Sequence, residues 1–392
     1  MRIAILLLSL ALVVPGTSAA RAYGGPEREA KLDATGAQLA EAVRAAWPGK
    51  TIRVDAALSR AAEEIAASVA GGLPLDQAAR PDTLRLALAR AGGVAPEVAP
   101  VLVRATGRDA ALKRMRERLL AESRQPAPGQ VGIAAVERNG ILTLVVLRAP
   151  ERVALEPFPA QVAVGARQRL AGRVLPPLRK GSVYVTSPGG TPAKVQAGTN
   201  GPRFSAPIAF PKPGRYTVEV LADGPHGPVV AALLEVWAGQ PIPATAAAAA
   251  APAEREPAQV PGKEQLAARL VNELRESRGL PALRVDPKLA QIARRYAEEL
   301  LRTGRFAHTS PTSGTLADRL RAGGYAYRGA GENLAQAPTV RQAHDSTVAS
   351  PGHLANLLGA EWTRAGFGVA QGTLSDGSPT VVLVEIFAAP AQ

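Results

Sequence analysis

Residues 350–358 read SPGHLANLL and set a histidine in what reads as the first turn of a short helix. Ser350 suits the N-cap, Pro351 the first helical position, and Gly359 closes the segment after Leu354, Leu357 and Leu358. Histidine is scarce here, with four in 392 residues. His308, His344 and His353 fall late in the chain, and His226 stands apart in the turn sequence GPHGP, where it is expected to face solvent. A histidine in a first helical turn meets the positive end of the helix dipole, which disfavours the imidazolium. Neutral imidazole can accept a hydrogen bond or coordinate a metal.

Outward from this helix, the pattern alternates helices with a terminal hairpin. Leu266, Leu270 and Leu274 form a stripe closed by Gly279. Asp286-Pro287 is an N-cap and first-turn pair, followed by Leu289, Ile292, Ala293, Tyr296 and Leu300 on one helical face up to Gly304. TLADRLRAGG (315–324) predicts a third helix, with Thr315 and Asp318 at capping-box spacing. AGFGVAQG (365–372) and PTVVLVEIFAA (379–389) flank Asp376-Gly377, a hairpin signal. Helices packed on an antiparallel sheet predict a layered α/β domain over 263–392. Within it, His308 follows a helix stop in RFAHTSP, and Glu332 is enclosed in GAGENLA. His344 lies in VRQAHDSTV, an amphipathic pattern that places it at the surface or the rim of a cleft. The separations from His308 to Glu332 and on to His353, 24 and 21 residues, match no compact metal motif. On spacing alone, each histidine reads more readily as a structural hydrogen-bonding residue than as a ligand.

Four ordered motifs, RFAHTS, GYAYRGAGENLA, SPGHLANLL and RAGFGVAQG, resemble the bacterial branch of the CAP superfamily, named for cysteine-rich secretory proteins, antigen 5 and pathogenesis-related proteins. The resemblance covers residues 264–388. It implies an α-β-α sandwich whose central cleft is lined by two histidines and one or two acids, and which holds a divalent cation in some members. Carried over, the first cavity histidine is His308, the acid is Glu332 with Asn333 beside it, and the second histidine is His353. The second acid of many eukaryotic members falls at Ser350, so the full set is absent, and Glu385 on the last strand is a substitute candidate. Thr347 stands where an aromatic is common and Leu354 where a basic residue is common. Two neutral imidazoles and one carboxylate would suit zinc with an open position for water. A proton-sharing His–Glu–His network without metal is equally compatible, as are groups that only tie loops together.

The rest of the chain sets the context. Residues 1–22 carry a basic start, the apolar run IAILLLSLALVVPG and the small residues TSAARA, the pattern of a secretory signal peptide. No later run reaches the ~18–20 apolar residues of a transmembrane helix. The mature chain is therefore expected to be exported, either secreted or periplasmic. Cysteine is absent, which excludes disulfides, thiol nucleophiles, Cys-type zinc sites and a lipidated cysteine. Residues 23–150 divide into a helical stretch (30–125), rich in Ala, Leu and Arg, and a strand-like end. Residues 151–239 hold short β-branched runs about ten residues apart, the signature of a small immunoglobulin-like β-sandwich. Residues 240–262, with their prolines and alanine run, read as a semi-extended linker.

An internal echo links the two ends. IRVDAALSRAAEEIA (52–66) aligns without a gap to LRVDPKLAQIARRYA (283–297), with Arg53/Arg284, Val54/Val285, Asp55/Asp286, Leu58/Leu289, Ala62/Ala293 and Ala66/Ala297 identical. VGIAAVERNGILTLVVL (131–147) has the shape of the C-terminal hairpin. Together they suggest that 23–150 is a degenerate CAP-like copy, one with no histidine.

The net charge of +13 comes mainly from arginines scattered on helices, without a basic cluster or aromatic ladder, which argues against nucleic acid. It leaves a solvated cationic surface or a weak contact with anionic envelope polymers or headgroups. The functional expectation is a binding or adaptor module whose cleft (His308, Glu332, Asn333, Ser350, His353, Glu385) takes a lipid, glycan, peptide or divalent cation. The alternative is a metal-assisted hydrolase, with Glu332 as general base and a cation on His308 and His353 activating water. That alternative leaves no evident base once Glu332 is a ligand, and the chain offers no serine elbow or catalytic cysteine.

Overall fold

The computed structural model describes residues 22–24, 29–244, 256–373 and 379–391. The apolar N-terminal run and the Asp376-Gly377 turn lie outside them. The first layered unit begins with α1 (Ala34–Ala46), where Asp33 caps by accepting from the Gly36 amide. After β1 (Arg53–Val54), α2 (Ala56–Ala70) is capped in the same way by Asp55 on Leu58. Then follow α3 (Leu75–Ala78), α4 (Pro81–Ala91), β2 (Ala99–Thr106), α5 (Arg108–Glu122), β3 (Gln130–Arg138) and β4 (Ile141–Ala149). The sheet order is β1-β3-β4-β2, with β1 parallel to β3 and the other pairs antiparallel. Leu39, Val43, Leu112 and Met115 of α1 and α5 cover one face; Leu58, Ile65, Leu84 and Leu88 of α2 and α4 cover the other. The stretch 30–125 is thus not wholly helical. β2 escapes a periodicity reading because Val101, Leu102 and Val103 are all buried, between helices on both faces.

Nine strands build the sandwich: β5 (Val153–Leu155), β6 (Gln161–Val162), β7 (Arg167–Val174), β8 (Arg179–Thr186), β9 (Pro192–Val195), β10 (Gly198–Asn200), β11 (Arg203–Ala209), β12 (Gly214–Gly224) and β13 (Gly227–Ala238). They form two sheets, β10-β11-β7-β5 and β6-β13-β12-β8-β9. Alternation along β12 sends Tyr216, Val218 and Val220 into the core with Leu170, Phe204 and Ile208. Tyr23, grouped with the first unit by sequence position, belongs to this core. It bridges to Phe158, and its hydroxyl donates to the Glu235 carbonyl.

In the C-terminal unit, α6 (Val260–Ser277) starts inside the stretch read as linker, because Pro261 sits in a first turn where a missing N–H costs nothing. β14 (Arg284–Val285), α7 (Pro287–Thr303), α8 (Leu316–Ala322), β15 (Tyr327–Ala337), α9 (Val340–Ala349), α10 (Pro351–Leu357), β16 (Arg364–Thr373) and β17 (Pro379–Pro390) follow. The sheet order β14-β16-β17-β15, with β14 parallel to β16, repeats the first unit strand for strand. Helices α7 and α8 pack on one face; α6, α9 and α10 pack on the other. Both units share a close approach. A Cβ on Gly132 of β3 would lie 2.2 Å from the Leu58 carbonyl, and one on Gly366 of β16 would lie 2.2 Å from the Leu289 carbonyl carbon. Leu58 and Leu289 are the leucines aligned by the sequence echo, so the repeat holds at the level of packing.

The outer face of the five-stranded sheet meets both units. Trp237 of β13 packs on Leu86 and Ala89 of α4, while α10 lies against β8, β9 and β12. Among the described residues, no helix is long and apolar enough to cross a membrane.

Candidate functional site

The candidate site begins where α7 ends. Gly304 takes the left-handed conformation (φ 65°) that stops the helix, and the chain turns back so that the Tyr296 hydroxyl donates to the Ala307 carbonyl. A tight Ser310–Gly314 bridge, closed by amide bonds of 2.9 and 3.0 Å, then fixes the loop. His308 stands on this loop with Nδ1 2.9 Å from Glu332 Oε1. The other carboxylate oxygen accepts from Arg319 Nη2 at 2.6 Å. Arg319 lies 3.4 Å above the Tyr296 ring and also donates to the Gly314 carbonyl at 2.7 Å. Burial pushes the Tyr296 phenol up to about 12, so it stays a neutral donor. An ionised Glu332 can only accept, so the Nδ1 of a neutral His308 carries the proton and its Nε2 is left as an acceptor. The Glu332 and Arg319 side chains are 3% and 5% exposed, while that of His308 is 25% exposed, so the imidazole is the end of this chain that reaches solvent.

The second histidine is placed by α10, which lies along the free edge of β15. Asn333 Nδ2 donates to the His353 carbonyl at 3.1 Å, and Asn356 Nδ2 donates to Asn333 Oδ1 at 2.9 Å and to the Glu332 carbonyl at 3.2 Å. Trp362 Nε1 secures the Asn356 carbonyl at 3.0 Å. Asn333 is thus a positioning residue for α10. Burial, with His308 adding to it, pushes the His353 imidazole down to about 4, so it is neutral at neutral pH, as a first-turn histidine should be.

Three expectations need correction. Glu385 does not share a sheet face with Glu332. The register pairs Asn333 with Glu385 and Glu332 with Ile386, and neighbours along a strand face opposite sides. Glu385 is fully buried on the far face, with Oε2 accepting from Asn333 at 3.1 Å, and burial pushes it up to about 7. Ser350 occupies the N-cap position of α10 but makes no cap bond there; its hydroxyl donates to Glu219 Oε2 of β12 at 2.6 Å. His344 is not at the surface. It is 5% exposed, and burial together with Arg341 pushes it down to about 4. His226 keeps an exposed side chain, yet its carbonyl accepts from the Thr309 amide at 3.0 Å.

Nor do His308, Glu332 and His353 fit a divalent cation in this arrangement. Among the described residues, no three His, Asp or Glu side chains converge as a ligand set. Glu332 spends one oxygen on an imidazole and the other on a guanidinium, and an added dication would face the fixed charge of Arg319. Arg319 is also the site residue that sequence reasoning missed. Its one signal was position: it lies three residues after Leu316 and beside Leu320, on the apolar stripe of its helix. Glu219 was missed as well, since an acid at an outward strand position normally meets water.

Comparison with known proteins bears on the C-terminal unit. Residues 268–387 match the family model described as CAP, the cysteine-rich secretory protein family. The uncharacterized protein YkwD of Bacillus subtilis is 31% identical over 116 residues, 29% of this chain and 45% of that protein. The uncharacterized membrane protein YlbC of the same organism is 34% identical over 104 residues, 26% of this chain and 29% of that protein. The chain thus spans less than half the length of either relative. An extracellular protein containing a SCP domain from Bacillus anthracis is 19% identical, covering 56% of this chain and 81% of that one with a TM-score of 0.30. Residues 268–387 are a bacterial CAP domain, set at the C-terminal end of a chain of mixed helix and sheet.

Proposed function

We propose that this is an exported protein whose CAP domain is a binding module, with a cleft that recognises a lipid, glycan or peptide of the envelope or its surroundings through His308 and His353. The observation that carries this reading is the His308–Glu332–Arg319 chain. Its carboxylate has both oxygens engaged, at 2.9 and 2.6 Å, while the free side of the His308 ring reaches solvent. Such a chain fixes one imidazole tautomer and offers it, with the neutral His353, as hydrogen-bonding groups. It leaves no free carboxylate to act as general base or to charge-balance a dication, which weighs against a metal-assisted hydrolase. Export rests on the basic and apolar start of the sequence, and the +13 charge adds a weak attraction to anionic polymers or headgroups.

Native mass spectrometry tests this reading. The mature protein is purified without chelator or metal-binding tag, beside the His308→Ala/His353→Ala double variant, before and after incubation with zinc chloride. The expected result is an organic mass adduct present in the parent and lost in the variant, with no stoichiometric zinc uptake. One equivalent of zinc bound by the parent and absent from the variant would overturn it in favour of a metal centre.

A further inference from the structure

The cleft is bounded by a unit that the CAP domain does not contain. Glu219 lies on the face of β12 turned away from the sandwich core, yet it is fully buried. Its Oε2 accepts from Ser350 at 2.6 Å and its Oε1 from the Gly352 amide at 2.9 Å. The first turn of α10 is therefore capped by a carboxylate from the sandwich while its own N-cap hydroxyl points across the junction. Gly352 carries the same mark. A Cβ there would stand 2.7 Å from Glu219 Oε1, so any larger residue displaces that carboxylate, and glycine, a poor helix former, fits the sandwich contact and not the helix. At the tip of the β12–β13 hairpin, His226 accepts from Thr309 at 3.0 Å. Next to it, Gly227 has φ +109° and leaves no room for a Cβ, which would lie 2.9 Å from that of His308. Arg278, just past α6, adds a bond to the Gly190 carbonyl at 2.8 Å.

We propose that the β-sandwich is an intramolecular latch on the CAP cleft. Glu219 holds the helix that carries His353, and the His226–Gly227 turn holds the loop that carries His308. Release of the sandwich opens the side of the cleft that it covers. The latch rests on these contacts alone and stands whatever the cleft binds, so it can fail or hold independently of the binding reading.

The test uses diethyl pyrocarbonate on the full mature chain at neutral pH. Peptide mass spectrometry reads the carbethoxylation rate at each of the four histidines, with N-acetylhistidine added to the same reaction as the reference. Two variants loosen the junction: Gly352→Ala, whose methyl must push Glu219 off its amide, and Glu219→Ala, at a residue that points away from the sandwich core. Both are expected to raise the rates at His308 and His353 several-fold relative to N-acetylhistidine and to enlarge the radius of gyration, with circular dichroism unchanged. Unchanged rates at both histidines would overturn the latch. So would a rise at His353 alone, which would reduce Glu219 to a local cap of α10. Should Gly352→Ala lose helix signal, Glu219→Ala decides.

Discussion

Glu385 carries a carboxyl that the fold keeps from ionising. One oxygen meets Asn333, the other finds no partner among the described side chains, and burial lifts its pKa from an ordinary 4.5 to about 7. A carboxyl raised in this way favours the native state fully below pH 4.5, and that stability is lost as pH rises through 7. The loss at pH 8 amounts to roughly 3 kcal/mol at most. Glu385→Gln keeps the shape and an acceptor for Asn333 while removing the charge. It is therefore expected to raise Tm at pH 8 and to leave Tm nearly unchanged at pH 4. Thermal unfolding at the two pH values checks this, and an equal shift at both would mean that packing, not ionisation, governs the site.

At the level of elements, α8 shows what the sequence could and could not disclose. Its capping box was legible in Thr315 and Asp318, and both halves of the box form. The fate of Arg319 was not, because a charged residue on a short helix is ordinarily solvated, and only the meeting of α7, α8 and β15 makes it a buried partner for Glu332. α10 divides the same way: Ser350-Pro351 marked its start, but the carboxylate that caps it comes from 131 residues upstream. Arg319→Met would strand Glu332 in the interior without its cation, an expected loss of about 3–5 kcal/mol. Arg319→Lys should recover only part of this, since an ammonium cannot both stack on Tyr296 and fork to Glu332 and Gly314. Urea unfolding of the two variants measures both values. A silent Arg319→Met would mean that Glu332 takes up a proton at little cost.

Over the whole molecule, the likeness of the two layered units was legible because it rests on local rules: an Asp cap, a leucine one turn later, and a Gly-bearing strand beneath it. The docking of the units was not legible, because an outward acid on an alternating strand looks the same whether water or another helix covers it. The repeat makes a paired prediction. Gly132→Ala and Gly366→Ala each drive a methyl into a helix backbone at 2.2 Å. Each should cost at least ~3 kcal/mol in thermal or denaturant unfolding, beyond the usual 1–3 kcal/mol of overpacking. A mild effect in the first unit alone would mean that its helix and sheet have drifted out of the shared packing.

That shared sheet face has a further consequence for how such a chain can change over time. The first copy has no histidine and, taken alone, would be free to diverge. Yet Arg85, on its α4, lies within the electrostatic reach of Glu235, Arg215 and Glu219, and Glu219 in turn caps α10 of the C-terminal unit. A substitution at Arg85 therefore changes the field at the carboxylate that caps α10. What the C-terminal unit requires of Glu219 extends, through the field of this one carboxylate, to a helix of the first unit.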